Sequence, residues 1–202
     1  MKPQLAQHRN RIAGDTQDLS LVEENVLVQQ IRNGNDYAMQ ELVSRNRQAV
    51  ARVVKAMLGD TPEAEDVGRE TFIRFWSKID TYRYEAKVST YLTRIAINLA
   101  INESRKQKRR LALEKPFETN QKSTSIALSQ PSQHAKDEVA HLHEALSQLD
   151  EDQRAVVVMR MLQGYSTKDT AHLLGIPQGT VLSRLSRALG KLKIILEKLD
   201  SV

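Results

Sequence analysis

Apolar residues recur along most of this chain at three- and four-residue intervals, separated by polar and charged ones, the spacing of a helix face. The run LSLVEENVLVQQIRNGN places Leu21, Val22, Val26 and Ile31 near that spacing and offers Gly34 as a stop. DYAMQELVSRNRQAVARVVKAMLGD carries the period on to Gly59. TPEAEDVGRETFIRFWSKID opens with start signals. Thr61 can cap, Pro62 suits the first turn, and Glu63, Glu65 and Asp66 favour the positive helix end. The stretch TYRYEAKVST reads as a loop. YLTRIAINLAINESRKQKRR then reads as another long helix, with Ser89 or Thr90 as its cap.

The period fails in two places. Residues 1–19 are polar and aperiodic and read as a mobile arm. Residues 111–136 hold two Pro and many Ser, Thr, Gln and Asn, and read as a linker. Helix signal returns from Asp137 in DEVAHLHEALSQLD, EDQRAVVVMRMLQG and STKDTAHLLG. The expected architecture is all-α: a helical domain over 20–110, the linker, and a second helical domain over 137–202.

The last stretch, STKDTAHLLGIPQGTVLSRLSRALGKLK, is the most specific. Ser166 and Asp169 have capping-box spacing before a short helix with Ala171, Leu173 and Leu174 inward. Gly175 can take the left-handed turn, and Pro177 prevents simple continuation. On the next helix Val181, Leu185, Ala188, Leu189 and Leu192 cluster on one side. Gly179, Ser183, Ser186 and Gly190 line the other, flanked by Arg184, Arg187 and Lys191. This matches a helix-turn-helix whose second helix enters a major groove; the other reading of the pattern is an ordinary helical hairpin with a solvated basic face, against which the small Ser and Gly residues count.

Composition agrees with long helices: aromatics are 4% of the chain, with only eight Gly and five Pro. The net charge of +5 permits binding to nucleic acid or to acidic surfaces. Without Cys there is no disulfide framework or thiolate zinc site, which suits a reducing cytosol. No run has signal-peptide or membrane-span character. His141 and His143 fall on different helix faces, so no metal pair is expected. Neither a nucleophile–base set nor a phosphate-cradling Gly loop stands out, and no cofactor is expected. TYRYEAKVSTYLTR combines three Tyr with Arg83, Lys87 and Arg94, and RKQKRR (105–110) follows. Aromatic and basic residues together suit a single strand.

Four stretches in order, IRNGNDYAMQELV, EDVGRETFIRFW, STYLTRIAINLAINESR and LSQLDEDQRAVVVMRMLQGYSTKDTAHLLGIPQGTVLSRLSRAL, resemble the extracytoplasmic-function sigma factors of bacterial RNA polymerase. The resemblance spans roughly residues 20 to 195 outside the linker. It implies a promoter-specificity subunit without catalysis of its own. Its partners would be core RNA polymerase (the β′ clamp helices and the β subunit), promoter DNA and an anti-sigma factor. On helix 63–79, Asp66, Glu70, Phe72, Arg74 and Trp76 would face or support the clamp helices. Tyr82, Lys87, Ser89, Thr90, Tyr91, Arg94 and Asn98 would hold the non-template strand of the minus-ten element. Thr180, Ser183, Arg184, Ser186 and Arg187 would read the minus-thirty-five element, with the linker threading polymerase channels.

The chain departs from the family pattern at five positions. Leu182 stands where a basic residue is usual, Tyr91 for Trp, Val88 for an aromatic, Thr93 for Tyr and Arg69 for Gln. A stand-alone helix-turn-helix regulator is the alternative, but it leaves EDVGRETFIRFW without a purpose. A nucleic-acid-processing enzyme would need a carboxylate–metal or His cluster.

Overall fold

The computed structural model describes residues 19–113 and 142–199; the expected arm and most of the expected linker lie outside them. All regular structure among the described residues is helical. The helices are α1 (Glu24–Arg32), α2 (Asp36–Leu58), α3 (Pro62–Ser77), α4 (Val88–Leu113), α5 (142–147), α6 (Glu151–Val157), α7 (Thr167–Leu174) and α8 (Gln178–Leu199). Short 3-10 turns precede α1 and follow α3, and α6 runs on into a π-helical turn at Val158–Leu162.

Local chemistry sets most boundaries. The Asn35 side chain accepts the amides of Tyr37 (3.0 Å) and Ala38 (3.3 Å) to start α2. Gly59, at φ +78°, ends it. Helix α4 begins at Val88, one residue before the first expected cap, so Ser89 and Thr90 lie inside its first turn. It continues to Leu113, past the expected domain edge at residue 110.

α2, α3 and α4 pack against one another, and α1 lies along α2. Their core holds Leu27, Leu42, Met57, Phe75, Leu92 and Ile97, all fully buried. In α1 the inward set is Leu27, Val28 and Ile31. Of the expected set, Ile31 is buried and Val22 packs against the core, while Leu21 and Val26 point to solvent.

The second helical group, α5 to α8, has its own small clusters around Leu146 and Leu149 and around Val181. It also leans on the first. Ala155, Val158, Met159 and Leu173 join the cluster built by α1 to α4. The buried Arg154 crosses the seam: it donates to the Met57 carbonyl at the end of α2, and to Ser147 O (2.7 Å) and Leu149 O (3.0 Å).

Candidate nucleic-acid interface

Three surfaces carry the residues singled out from the sequence. The first is α3. Thr61 Oγ1 accepts the Ala64 amide at 3.2 Å, and Pro62 opens the first turn. Ala64, Val67, Thr71 and Phe75 face inward. Phe75 is fully buried, so the core need of this helix is met without Trp76 and Ile73, which are 55% and 57% exposed. Phe72 is half-buried at the edge. Around the outward apolar pair stand Asp66 and Glu70, ion-paired with Arg69 (2.6 Å) and Arg74 (2.7 Å).

The second surface is the loop before α4 and the outer face of α4. Tyr82 is not presented to solvent. It is 4% exposed, its ring meets Phe75, Tyr84 and Tyr91 edge-on, and its hydroxyl donates to Ala86 O at 2.5 Å. Burial, aided by the charge of Glu24, pushes its phenol pKa up. Tyr82 therefore braces the loop from inside. Tyr84 sits in the left-handed region at φ +59°, which costs a non-glycine residue about 1–2 kcal/mol.

Arg32 of α1 holds this loop in place. Its guanidinium lies over the Tyr84 ring at 5.1 Å and donates to Tyr84 Oη (3.1 Å), Ile79 O (2.9 Å) and Tyr82 O (2.5 Å). Gln29 adds a donation to Tyr84 Oη at 2.6 Å. Sequence reasoning missed Arg32, because its partners lie about fifty residues away. The one local hint was a long cation at the end of a short helix.

Beyond the loop, Lys87, Arg94 and Asn98 are exposed, and Ser89, Thr90 and Tyr91 are half-buried. At about 100° per residue, Tyr91, Arg94, Asn98, Asn102, Arg105 and Arg109 share one narrow face of α4. The last five are all exposed, so a polar, basic stripe runs most of the helix length.

The third surface is the helix-turn-helix. The capping box forms as expected: Ser166 Oγ accepts the Asp169 amide at 3.0 Å and donates to its carboxylate at 2.6 Å. Gly175 takes the left-handed turn at φ +66°. On α8, Val181, Ala188 and Leu192 are buried, while Leu189 is 41% exposed and so outside the expected core face. Gly179, Ser183, Ser186, Arg187 and Gly190 face solvent, and Thr180 is half-buried. Arg187 Nε folds back to Ser183 O at 3.2 Å. Leu182 is 55% exposed, beside this polar face and not packed beneath it. Arg184 lies on the other flank, half-buried and ion-paired with Asp152 at 3.2 Å.

Among the described residues no group of His, Asp and Glu could hold a metal ion, and no helix is long and apolar enough to cross a membrane. His141 lies outside the described residues.

Residues 42–110 match the family described as Sigma-70 region 2, and residues 141–192 match Sigma-70 region 4. The chain is 30% identical over 174 residues to the ECF RNA polymerase sigma factor SigM of Mycobacterium tuberculosis, covering 83% of this chain and 82% of that protein. It is 31% identical over 174 residues to the ECF RNA polymerase sigma-E factor of Salmonella typhimurium, covering 82% of this chain and 90% of the relative. Among solved structures it is similar to CnrH in complex with the cytosolic domain of CnrY. The TM-score is 0.61 at 25% identity, covering 87% of this chain and 97% of that one.

Proposed function

The chain belongs to the extracytoplasmic-function sigma factors of the sigma-70 family, and from that premise we propose how its surfaces divide the work of initiation. As an alternative sigma factor it binds core RNA polymerase and directs promoter recognition. The outward half of α3 takes the β′ clamp helices. Trp76 and Ile73 supply the apolar centre, Asp66, Glu70 and Arg74 the polar rim, and Phe72 support from beneath. Lys87, Ser89, Thr90, Tyr91, Arg94 and Asn98 hold the non-template strand of the minus-ten element, with Tyr82 as internal brace. Thr180, Ser183, Arg184, Ser186 and Arg187 read the minus-thirty-five duplex.

Residues 20–110 and 137–202 act as the two working domains. Residues 1–19 form an arm, and 111–136 form a linker that threads polymerase channels. The chain works in the cytoplasm, has no catalysis of its own, and is sequestered by an anti-sigma factor. CnrH, captured with the cytosolic domain of another protein, supports that last point.

The observation that carries the reading is the exposed Trp76–Ile73 pair, on a helix whose core position is already filled by Phe75. A stand-alone DNA-binding regulator has no use for it. The test is reconstitution: the purified chain, added to core polymerase, should bind it stably and support promoter-dependent initiation. Absence of both, with any anti-sigma factor removed, overturns the reading.

A further inference from the structure

Arg69 lies in the middle of the outward face of α3. At about 100° per residue, Arg69, Ile73 and Trp76 share one stripe of the helix, with Asp66 beside it. All four are exposed. The Arg69 guanidinium is held by two acids of its own helix. Nη2 donates to Asp66 Oδ1 at 2.6 Å, and Nη1 pairs with Glu65 Oε2 at 3.6 Å. The fold does not depend on these bonds. The three side chains are 65–71% exposed, and ion pairs this open contribute little to stability. The core side of the helix is filled separately, by Ala64, Val67, Thr71 and Phe75.

The charge of this face has a sign. α3 carries four acids, Glu63, Glu65, Asp66 and Glu70, against two cations, Arg69 and Arg74. A partner that fits an acid-rich face around an apolar pair is basic at its rim, because facing potentials are complementary. Arg74 stands on the far flank, beyond its partner Glu70. Arg69 instead lies about one turn from Ile73 and two from Trp76, against the apolar centre. There it opposes a basic partner twice. It takes up Asp66, which would otherwise meet a partner's cation. It also places a like charge where docking excludes water. Like charges set against each other across an interface are costly, more so than an exposed pair is worth in the free chain.

We propose that Arg69 tunes core polymerase binding downward: by holding Asp66 and adding a cation beside the Trp76–Ile73 anchor, it makes this chain a weaker ligand for the clamp helices than the rest of α3 allows. This role rests on the reading of α3 as the polymerase-binding helix. Its consequence is that the chain needs a higher free concentration to occupy core polymerase, so its share of the enzyme follows its own synthesis or release closely.

Equilibrium binding of the full chain to core RNA polymerase tests this. Arg69→Gln keeps a polar side chain and removes the charge. It should bind about threefold or more tightly than wild type at about 50 mM salt. The difference should shrink toward about 0.5 M, where the screening length is about 4 Å. Asp66→Asn should weaken binding further in the Arg69→Gln chain than in the wild-type chain, because only there is the carboxylate free to meet a partner's cation. Arg47→Gln, the same change at an exposed arginine of α2, should give no gain. Circular dichroism should show unchanged helix content in every variant. Affinity of Arg69→Gln equal to or below wild type overturns the role of Arg69. So does an equal gain from Arg47→Gln, which would assign the effect to net charge. So does an equal cost of Asp66→Asn in both backgrounds. Trp76→Ala keeps the two readings apart. If it weakens binding and Arg69→Gln does not strengthen it, α3 still carries the contact and only the role of Arg69 falls. If Trp76→Ala also leaves affinity unchanged, the assignment of α3 falls with it.

Discussion

Phe75 and Trp76 are adjacent in sequence and opposite in placement: one fills the core, the other is more than half exposed. Phe75→Ala should cost about 3–5 kcal/mol in denaturant unfolding, the usual range for a buried Phe. Trp76→Ala should change stability by less than about 1 kcal/mol, yet weaken core polymerase binding by tenfold or more, as expected of an aromatic anchor. An unfolded Trp76→Ala chain would instead make it a core residue. At Leu182 the apolar side chain stands beside Ser183 and Ser186 with no core to fill. On α8 as the proposed groove-reading helix, an exposed leucine would suit a thymine methyl. Leu182→Ala should therefore relax a thymine preference at one upstream position by about fourfold, the equivalent of one buried methylene. Selection from a randomised upstream element by holoenzymes with and without the substitution measures this. Identical base preferences at every position would leave Leu182 without a reading role.

Helix ends were the most legible elements, because caps are local. Thr61, the Ser166–Asp169 box and Gly175 all act as their sequence neighbours suggest. Helix phase was less legible. In α1 the run from Leu19 to Ile31 carries apolar residues on more than one side, and only α2 decides that Leu27 and Val28 go in while Val26 stays out. Leu189 escaped the expected core face of α8 for the same reason. Least legible were contacts between distant segments. Tyr82 looks like a base-stacking ring in sequence, but its place under Tyr84 and Tyr91 depends on α1 lying alongside. Arg32 shows the functional cost of that blind spot. It ties α1 to three sites on the loop before α4, including the strained Tyr84. Arg32→Ala should leave α1 to α4 folded but let the loop wander. Expected results are lost protection from hydrogen exchange over 79–87 and slower promoter opening, with little change in core polymerase binding. Unchanged opening and unchanged exchange would show that the loop keeps its shape without Arg32.

At the scale of the whole chain, the two helical groups touch through a seam that sets a buried arginine among apolar side chains. Arg154 spans it with its Nε left without a partner, and burial pulls its pKa down against the opposing charges of Glu151 and Asp150. The seam is thus cohesive enough to form and costly enough to open. His143 of α5 reports on it. Its pKa is lowered, first by burial and further by Lys55 of α2, while Asp60 opposes the shift. Both named charges belong to the first helical group, so that part of the environment of His143 comes from across the seam. The sign follows from linkage. Above the ordinary histidine value of 6.5 the imidazole is neutral in folded and unfolded chains alike, and contributes no pH dependence. As pH falls below 6.5 the unfolded chain takes up the proton first, so stability declines until the folded value is passed, then levels. Thermal unfolding of the free chain should shift to lower temperature between pH 7 and pH 5. His143→Gln, which cannot take the proton, should flatten that part of the profile while leaving stability at pH 7.5 within about 1 kcal/mol. Repeating the scan on a Lys55→Gln chain separates the sources. If the charge from across the seam contributes to the shift, its loss returns His143 toward its ordinary value and flattens the same window; if the pH slope is unchanged there, burial alone sets the shift.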